Sequence, residues 1–141
     1  MFLGEFQYKV DDKGRAPVPP RFRTQLKEGI VLVPGMEKCI TVYPVAEWKK
    51  VSAGMAPGPL AKSKDRQLAR ALFATAFLTS IDGQGRISLP APLRGRAGIT
   101  DEVVFAGANT YMELWDKTLW EEEKEASLQQ AWQIIESQEQ R

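Results

Sequence analysis

A chain of 141 residues, 43% of them apolar and with a formal charge of +1, can build one compact domain or two small halves sharing a core, and is not composed like a disordered segment. It has no histidine and one cysteine, Cys39, which removes the commonest general base, the Ser/His and Cys/His nucleophile pairs, an intrachain disulfide and a zinc site of ordinary type. Charge is unevenly placed: residues 1–100 hold 16 Lys/Arg against 8 Asp/Glu and residues 101–141 hold 3 against 10, so a basic front able to meet a polyanion precedes an acidic tail.

The N-terminus, Met1-Phe2-Leu3-Gly4-Glu5, lacks the basic and apolar regions of a signal peptide, and no apolar run is long enough to span a bilayer. The expectation is a cytoplasmic protein, a reducing setting that suits a lone thiol. Phe6, Tyr8 and Val10 alternate with polar residues, as in a half-buried strand. If Asp11 faces Arg15, the residues between them, Asp12-Lys13-Gly14, form a three-residue hairpin loop with glycine at its left-handed position, and Ala16 and Val18 continue the apolar face. Pro20 suits the start of a short helix and Gly29 its end. Strands are predicted at 30–33 and 40–43, separated by a turn at Pro34-Gly35, with Cys39 on a buried strand and a helix starting at Pro44. Residues 52–61, rich in Gly, Pro and Ala, read as a linker, and Ser63 as the cap of a helix bearing Leu68 and Leu72.

From there the chain repeats itself. Ile81-Asp82-Gly83-Gln84-Gly85-Arg86-Ile87-Ser88-Leu89-Pro90 matches residues 10–19 at an offset of 71, and the same offset relates Phe2 to Phe73, Phe6 to Phe77 and Arg23 to Arg94. The second copy predicts a turn ending at Gly85, a helix started near Pro92 and stopped by Gly98, strands at 103–106 and 112–115, and a helix from Asp116. That last helix carries Leu128, Ala131, Trp132 and Ile135 at helical spacing, a packing face for its own chain or for a neighbour. Trp48, Trp115, Trp120 and Trp132 read as core or interface rather than as stacking platforms for bases. Two copies of this length predict a pseudo-twofold α+β domain, divided as 1–51, 52–72 and 73–141.

The repeated Asp-x-x-x-Arg turn is the candidate site. An arginine beside a tight glycine turn can present its fork to guanine O6 and N7 or to a phosphate, and a two-stranded ribbon fits the major groove. The same residues could instead be cross-turn ion pairs that fix the hairpin. Lys9, Lys13, Arg21, Arg23 and Lys27, with Arg94 and Arg96 in the second copy, form the basic cluster expected around phosphate contacts. Gly83-Gln84-Gly85 lacks the third glycine and the strand–helix setting of a dinucleotide site.

Phe2-Leu3-Gly4-Glu5-Phe6, Asp11-Asp12-Lys13-Gly14-Arg15, Val42-Tyr43-Pro44-Val45-Ala46-Glu47-Trp48 and Asp82-Gly83-Gln84-Gly85-Arg86 together resemble the MraZ family, and the single turn unit resembles the AbrB/MazE swapped-hairpin superfamily. The resemblance implies a duplicated AbrB-like swapped-hairpin β-barrel with flanking helices. It also implies a non-enzymatic transcriptional regulator, typically a repressor of the division and cell-wall gene cluster, that binds short repeated promoter boxes in double-stranded DNA. Nucleoid association and a homo-oligomeric ring follow from the same likeness. Asp11, Arg15, Asp82 and Arg86 are the DNA-contacting signature by position, Gly14 and Gly85 the turn glycines, and Lys13 and Arg23 are added from charge and location. No cofactor and no metal is expected. The competing readings are a self-assembling scaffold without DNA readout, an enzyme, and an RNA-binding protein.

Overall fold

The computed structural model describes residues 1–139. Eight strands and four α-helices succeed one another among the described residues. They are β1 (Glu5–Lys9), β2 (Arg15–Pro17), β3 (Ile30–Pro34), β4 (Ile40–Pro44), α1 (Val45–Ala53), α2 (Ser63–Ala69), β5 (Phe77–Thr79), β6 (Arg86–Ser88), α3 (Ala91–Ala97), β7 (Glu102–Gly107), β8 (Met112–Asp116) and α4 (Lys117–Glu139). Six strands form one antiparallel sheet in the order β1-β7-β8-β4-β3-β5, and β2 pairs only with β6.

The order of pairing shows a swap. β1 does not ladder with β2, the strand that follows its own turn; it pairs with β7 of the second half, Tyr8 opposite Val103, while β5 pairs with β3 of the first half, Thr79 opposite Ile30. Sequence reasoning about one turn at a time predicts a local hairpin. The turn itself forms, but the strands on its two sides enter different sheets. The fold is α+β, duplicated and swapped as expected, and it departs from the expected barrel: the large sheet is open, with β1 and β5 at its edges.

The pseudo-twofold axis can be located from the register. In the ribbon Arg15 faces Ser88, Ala16 faces Ile87 and Pro17 faces Arg86, so the offset of 71 exchanges the outer two pairs and maps the middle pair onto itself. In the sheet Ile40 faces Leu114 and Val42 faces Met112, and the axis passes through Thr41 opposite Glu113. Thr41 is the buried polar residue at that crossing.

Apolar residues from both halves close around this axis. Ala16, Val18, Ile87 and Leu89 from the ribbon segments meet Ile30, Leu32, Ile40, Val42, Val103, Phe105, Met112 and Leu114 of the sheet in one core. Phe22 receives Phe2 and Phe6 edge-on at centroid distances of 5.1 and 5.4 Å. Phe2 is held there by a bridge to Asn109. Its sequence equivalent Phe73 lies in a wide helical turn continuing α2 and packs on Trp48 instead, because the second repeat is entered from a helix.

The connecting segments differ between halves. After β2 only one 3-10 turn forms at Pro20–Phe22, whereas after β6 the chain builds α3, ended by Gly98 at φ 65°. Ser63 is the first residue of α2 rather than its cap, which is Lys62. The row predicted on α4 does not pack on its own chain: Leu128 is 63% and Trp132 75% exposed.

Ile87 is 1% exposed and carries the inner face of the ribbon. Ile87→Ala is expected to lower the unfolding free energy by about 2–5 kcal/mol, read by urea denaturation. A change within about 0.5 kcal/mol, the range of surface substitutions, would show that the ribbon is not seated on the core.

Candidate nucleic-acid interface

Each Asp-x-x-x-Arg turn is built on one carboxylate. Asp11 Oδ1 accepts the backbone N–H of Lys13 and of Arg15, both at 2.9 Å, and its Oδ2 accepts Arg15 Nε–H at 2.8 Å. The main chain closes the loop, Asp11 N–H donating to Arg15 O at 2.9 Å and Gly14 N–H to Asp11 O at 3.0 Å. Asp82 repeats this on Gln84 and Arg86 at 2.9 and 3.0 Å, with Arg86 Nε–H at 2.9 Å. A short side chain placed ahead of the loop can satisfy two loop donors at once, which is why aspartate precedes the turn. Gly14 and Gly85 have φ of 75° and 78°, the left-handed conformation that an L side chain resists.

The backbone N–H of the following arginine, foremost among these donors, holds each aspartate below its ordinary carboxylate pKa, against a partial opposing effect of desolvation. The carboxylate therefore stays charged at neutral pH and keeps the guanidinium oriented. Each guanidinium is anchored through Nε, and among the described residues no hydrogen bond engages the Nη nitrogens of Arg15 or Arg86. Their side chains remain 26% and 24% exposed. The end-on fork suited to a guanine edge or a phosphate is thus left available.

The two arginines share one platform. Reasoning from separate hairpins puts them on two distinct tips. Antiparallel pairing of β2 and β6 instead places Arg15, Pro17, Arg86 and Ser88 on one face of the ribbon, with Ala16 and Ile87 buried beneath. Arg15 and Arg86 are diagonal neighbours on this face, roughly 7–8 Å apart by sheet geometry, and Arg86 Nη1 comes within 4.0 Å of Asp11 Oδ2. Val18 N–H donates to Gly85 O at 2.9 Å and Leu89 N–H to Gly14 O at 2.8 Å, which fixes the hydrogen-bonded pairs of the ribbon. Pro17 falls between them, where its missing N–H costs the ladder nothing.

The remaining basic residues divide by role. Lys13 is exposed beside the first turn, and Gln84 takes its place at the second. Arg23 Nε–H donates to Val18 O at 3.1 Å and Arg94 Nε–H to Leu89 O at 2.8 Å, so both reach the ribbon. Arg21 lies over the Phe6 ring at 5.3 Å. Arg96, grouped by sequence with the basic cluster, braces the β3–β4 turn instead, donating to Gly35 O at 2.9 Å and Glu37 O at 3.1 Å. Sequence reasoning had no signal for that role, since the acceptors are backbone carbonyls some 60 positions away.

Two further clusters lie away from the ribbon. Glu37, Cys39 and Glu113 bring possible ligand atoms within 4.8 Å of one another. Burial pushes the Cys39 thiol up to about 12, so it is protonated at neutral pH, and Glu113 Oε1 is occupied by Trp115 Nε1–H at 3.0 Å. A groove of about 470 Å³ beside Lys9 and Asp101 is open to solvent, and its Glu102 pairs with Lys117 at 3.3 Å, so its carboxylates form no buried acid/base couple. No helix among the described residues is long and apolar enough to cross a membrane. Trp115 is buried against the half-buried Trp120, and the half-buried Trp48 packs between Tyr43 and Phe73.

Comparison with known proteins agrees with the duplication. A family model described as MraZ protein matches the chain twice, over residues 1–71 and 72–140. Two proteins named Transcriptional regulator MraZ, from two strains of Dehalococcoides mccartyi, are 56% identical to it over 138 residues, 97% of each chain. A protein of the same name from Frankia alni is 41% identical over 121 residues, 86% of this chain and 85% of its own. All three relatives are named as transcriptional regulators and none as an enzyme.

The turn clamps have a signed pH dependence. A carboxyl whose native pKa is depressed contributes above its ordinary value, here 3.8, and loses that contribution as pH falls through the lowered one. The Nε–H resonances of Arg15 and Arg86 are expected to stay protected from exchange at pH values down to 3.8 and to lose protection only below it. Asp11→Asn should expose the Arg15 Nε–H at neutral pH while sparing that of Arg86; protection surviving in this variant would rule out the clamp.

Proposed function

The chain belongs to the MraZ family, and from that membership we propose that it is a transcriptional regulator that binds double-stranded DNA through the β2–β6 ribbon. The single observation that carries this reading is the pair of guanidinium groups on one ribbon face, each anchored by Nε to its own aspartate with its Nη edge unbonded. A two-stranded ribbon is narrow enough to enter the major groove, and an oriented arginine fork matches guanine O6 and N7. Asp11 and Asp82 act as orienting groups, which reduces the side-chain freedom lost on binding. Lys13 and Arg23 add charge facing the phosphate backbone. By family resemblance the regulator is a repressor of the division and cell-wall gene cluster, acts at short repeated promoter boxes and associates with the nucleoid.

Assembly into a homo-oligomeric ring is part of the same proposal. It is supported by the uncovered row on α4, where Leu128, Trp132 and Ile135 stay exposed, and by Leu78 at the free edge strand β5, 76% exposed. An apolar row left uncovered by its own chain is a surface suited to meet another copy. Copies set side by side would align several ribbons along one duplex and raise affinity through effective concentration.

One bidentate arginine–guanine contact is worth about 1–3 kcal/mol, or roughly 5- to 150-fold. Arg15→Ala is expected to weaken specific duplex binding by that order, and Arg86→Ala by less, because Gln84 replaces Lys13 at the second turn. The double variant should lose discrete peaks in genome-wide pull-down of bound DNA. Equal losses in a gel-shift assay would reject the ranking, and full retention by the double variant would reject the interface. For assembly, Leu128→Asp with Trp132→Asp is expected to reduce the mass measured by light scattering while the far-ultraviolet circular dichroism persists; an unchanged mass would remove α4 from the subunit contact.

A further inference from the structure

Each turn glycine is covered by an arginine of the other repeat. The Arg94 guanidinium carbon lies 2.8 Å from where a Cβ on Gly14 would stand, and the Arg23 guanidinium covers Gly85 in the same manner. The chain path imposes the crossing. Leu89 N–H donates to Gly14 O while Leu89 O accepts Arg94 Nε–H, both at 2.8 Å, so one residue ties the end of β6 to the first turn and to the arginine that caps it. Val18 does the same between Gly85 at 2.9 Å and Arg23 at 3.1 Å. Neither guanidinium has a carboxylate partner among the described residues. A charged planar group so placed leaves its turn one packed arrangement, and only a glycine leaves it room.

We infer that Arg94 is a positioning residue for the first DNA-contacting turn and Arg23 for the second, so that each turn is held ready by the repeat to which it does not belong; this rests on the DNA-binding reading above. A substitution in the second half then acts at Arg15, and one in the first half acts at Arg86. The dependence is crossed, which neither a general loss of fold nor a simple loss of charge would produce.

Amide exchange in the free protein reads this without DNA. Arg94→Gln is expected to speed exchange at Lys13 and Arg15 several-fold and to leave Gln84 and Arg86 unchanged, and Arg23→Gln to do the reverse. In duplex binding, Arg94→Gln should cost a further roughly 2- to 10-fold in an Arg86→Ala background, where the first turn acts alone, and clearly less in an Arg15→Ala background, where only its charge is lost. Arg94→Lys should not rescue, because an ammonium keeps the charge but has neither the plane nor the Nε–H. Exchange that speeds equally in both turns, or in the turn of the same repeat, overturns the inference, as does full rescue by lysine. If the unsubstituted protein shows no salt-dependent affinity for duplex DNA, the reading of function falls and the exchange pattern alone decides the crossed positioning.

Discussion

The antiparallel pairing of β2 with β6 is the interaction on which the rest of the molecule depends. Three residues from each repeat meet there, and the middle pair, Ala16 with Ile87, is buried on the pseudo-twofold axis. Neither repeat can satisfy these strand edges alone, because β1 and β5 are engaged by β7 and β3 of the opposite half. Buried backbone groups need partners, so the two copies have to interlock. The halves are consequently two parts of one core, with Val18, Leu89 and the sheet residues on either side of the axis packed together.

That pairing turns two weak local features into one site. An isolated Asp–Arg pair across a surface turn contributes little to stability, about 0–1 kcal/mol, and by itself would be a structural ornament. With two such pairs on one ribbon face, the aspartates consume Nε and leave the terminal nitrogens unbonded. The arginines of the following segments repeat the pattern, with Nε on a main-chain carbonyl. The guanidinium groups of Arg15 and Arg86 are thus fixed at one end and open at the other, while those of Arg23 and Arg94 are packed over the turn glycines. The turn glycines serve both requirements, a left-handed backbone and room for the crossing arginine.

The duplication is not symmetrical in chemistry. Lys13 has no basic counterpart at Gln84, α3 replaces the single 3-10 turn of the first half, and Arg96 is drawn to the β3–β4 turn. Acidic residues gather on α4, away from the ribbon in sequence and largely exposed, together with an apolar row that its own chain leaves bare. Basic residues thus gather in the two ribbon repeats and acidic ones on the last helix, in a chain whose charges nearly cancel.

Short-range physics made much of this legible from the residues. The alternation of Phe6, Tyr8 and Val10, the glycines ending both turns, the helix starts after Pro44 and Asp116, and the offset of 71 each depend on contacts within a few positions or on the repeat itself. The clamps of Asp11 and Asp82 were readable for the same reason, since donor and acceptor lie two and four residues apart. What the local pattern of residues, apart from the family resemblance, did not reveal was the destination of each strand. A turn sequence specifies its own closure but not which edge the next strand will find, so a local hairpin and a swapped one look alike. Only the folded chain decided that Arg15 and Arg86 share a face, that the large sheet stays open, that Arg96 is a brace, and that Arg94 sits over Gly14, because each of these contacts joins positions far apart in sequence and is selected by burial across the whole core.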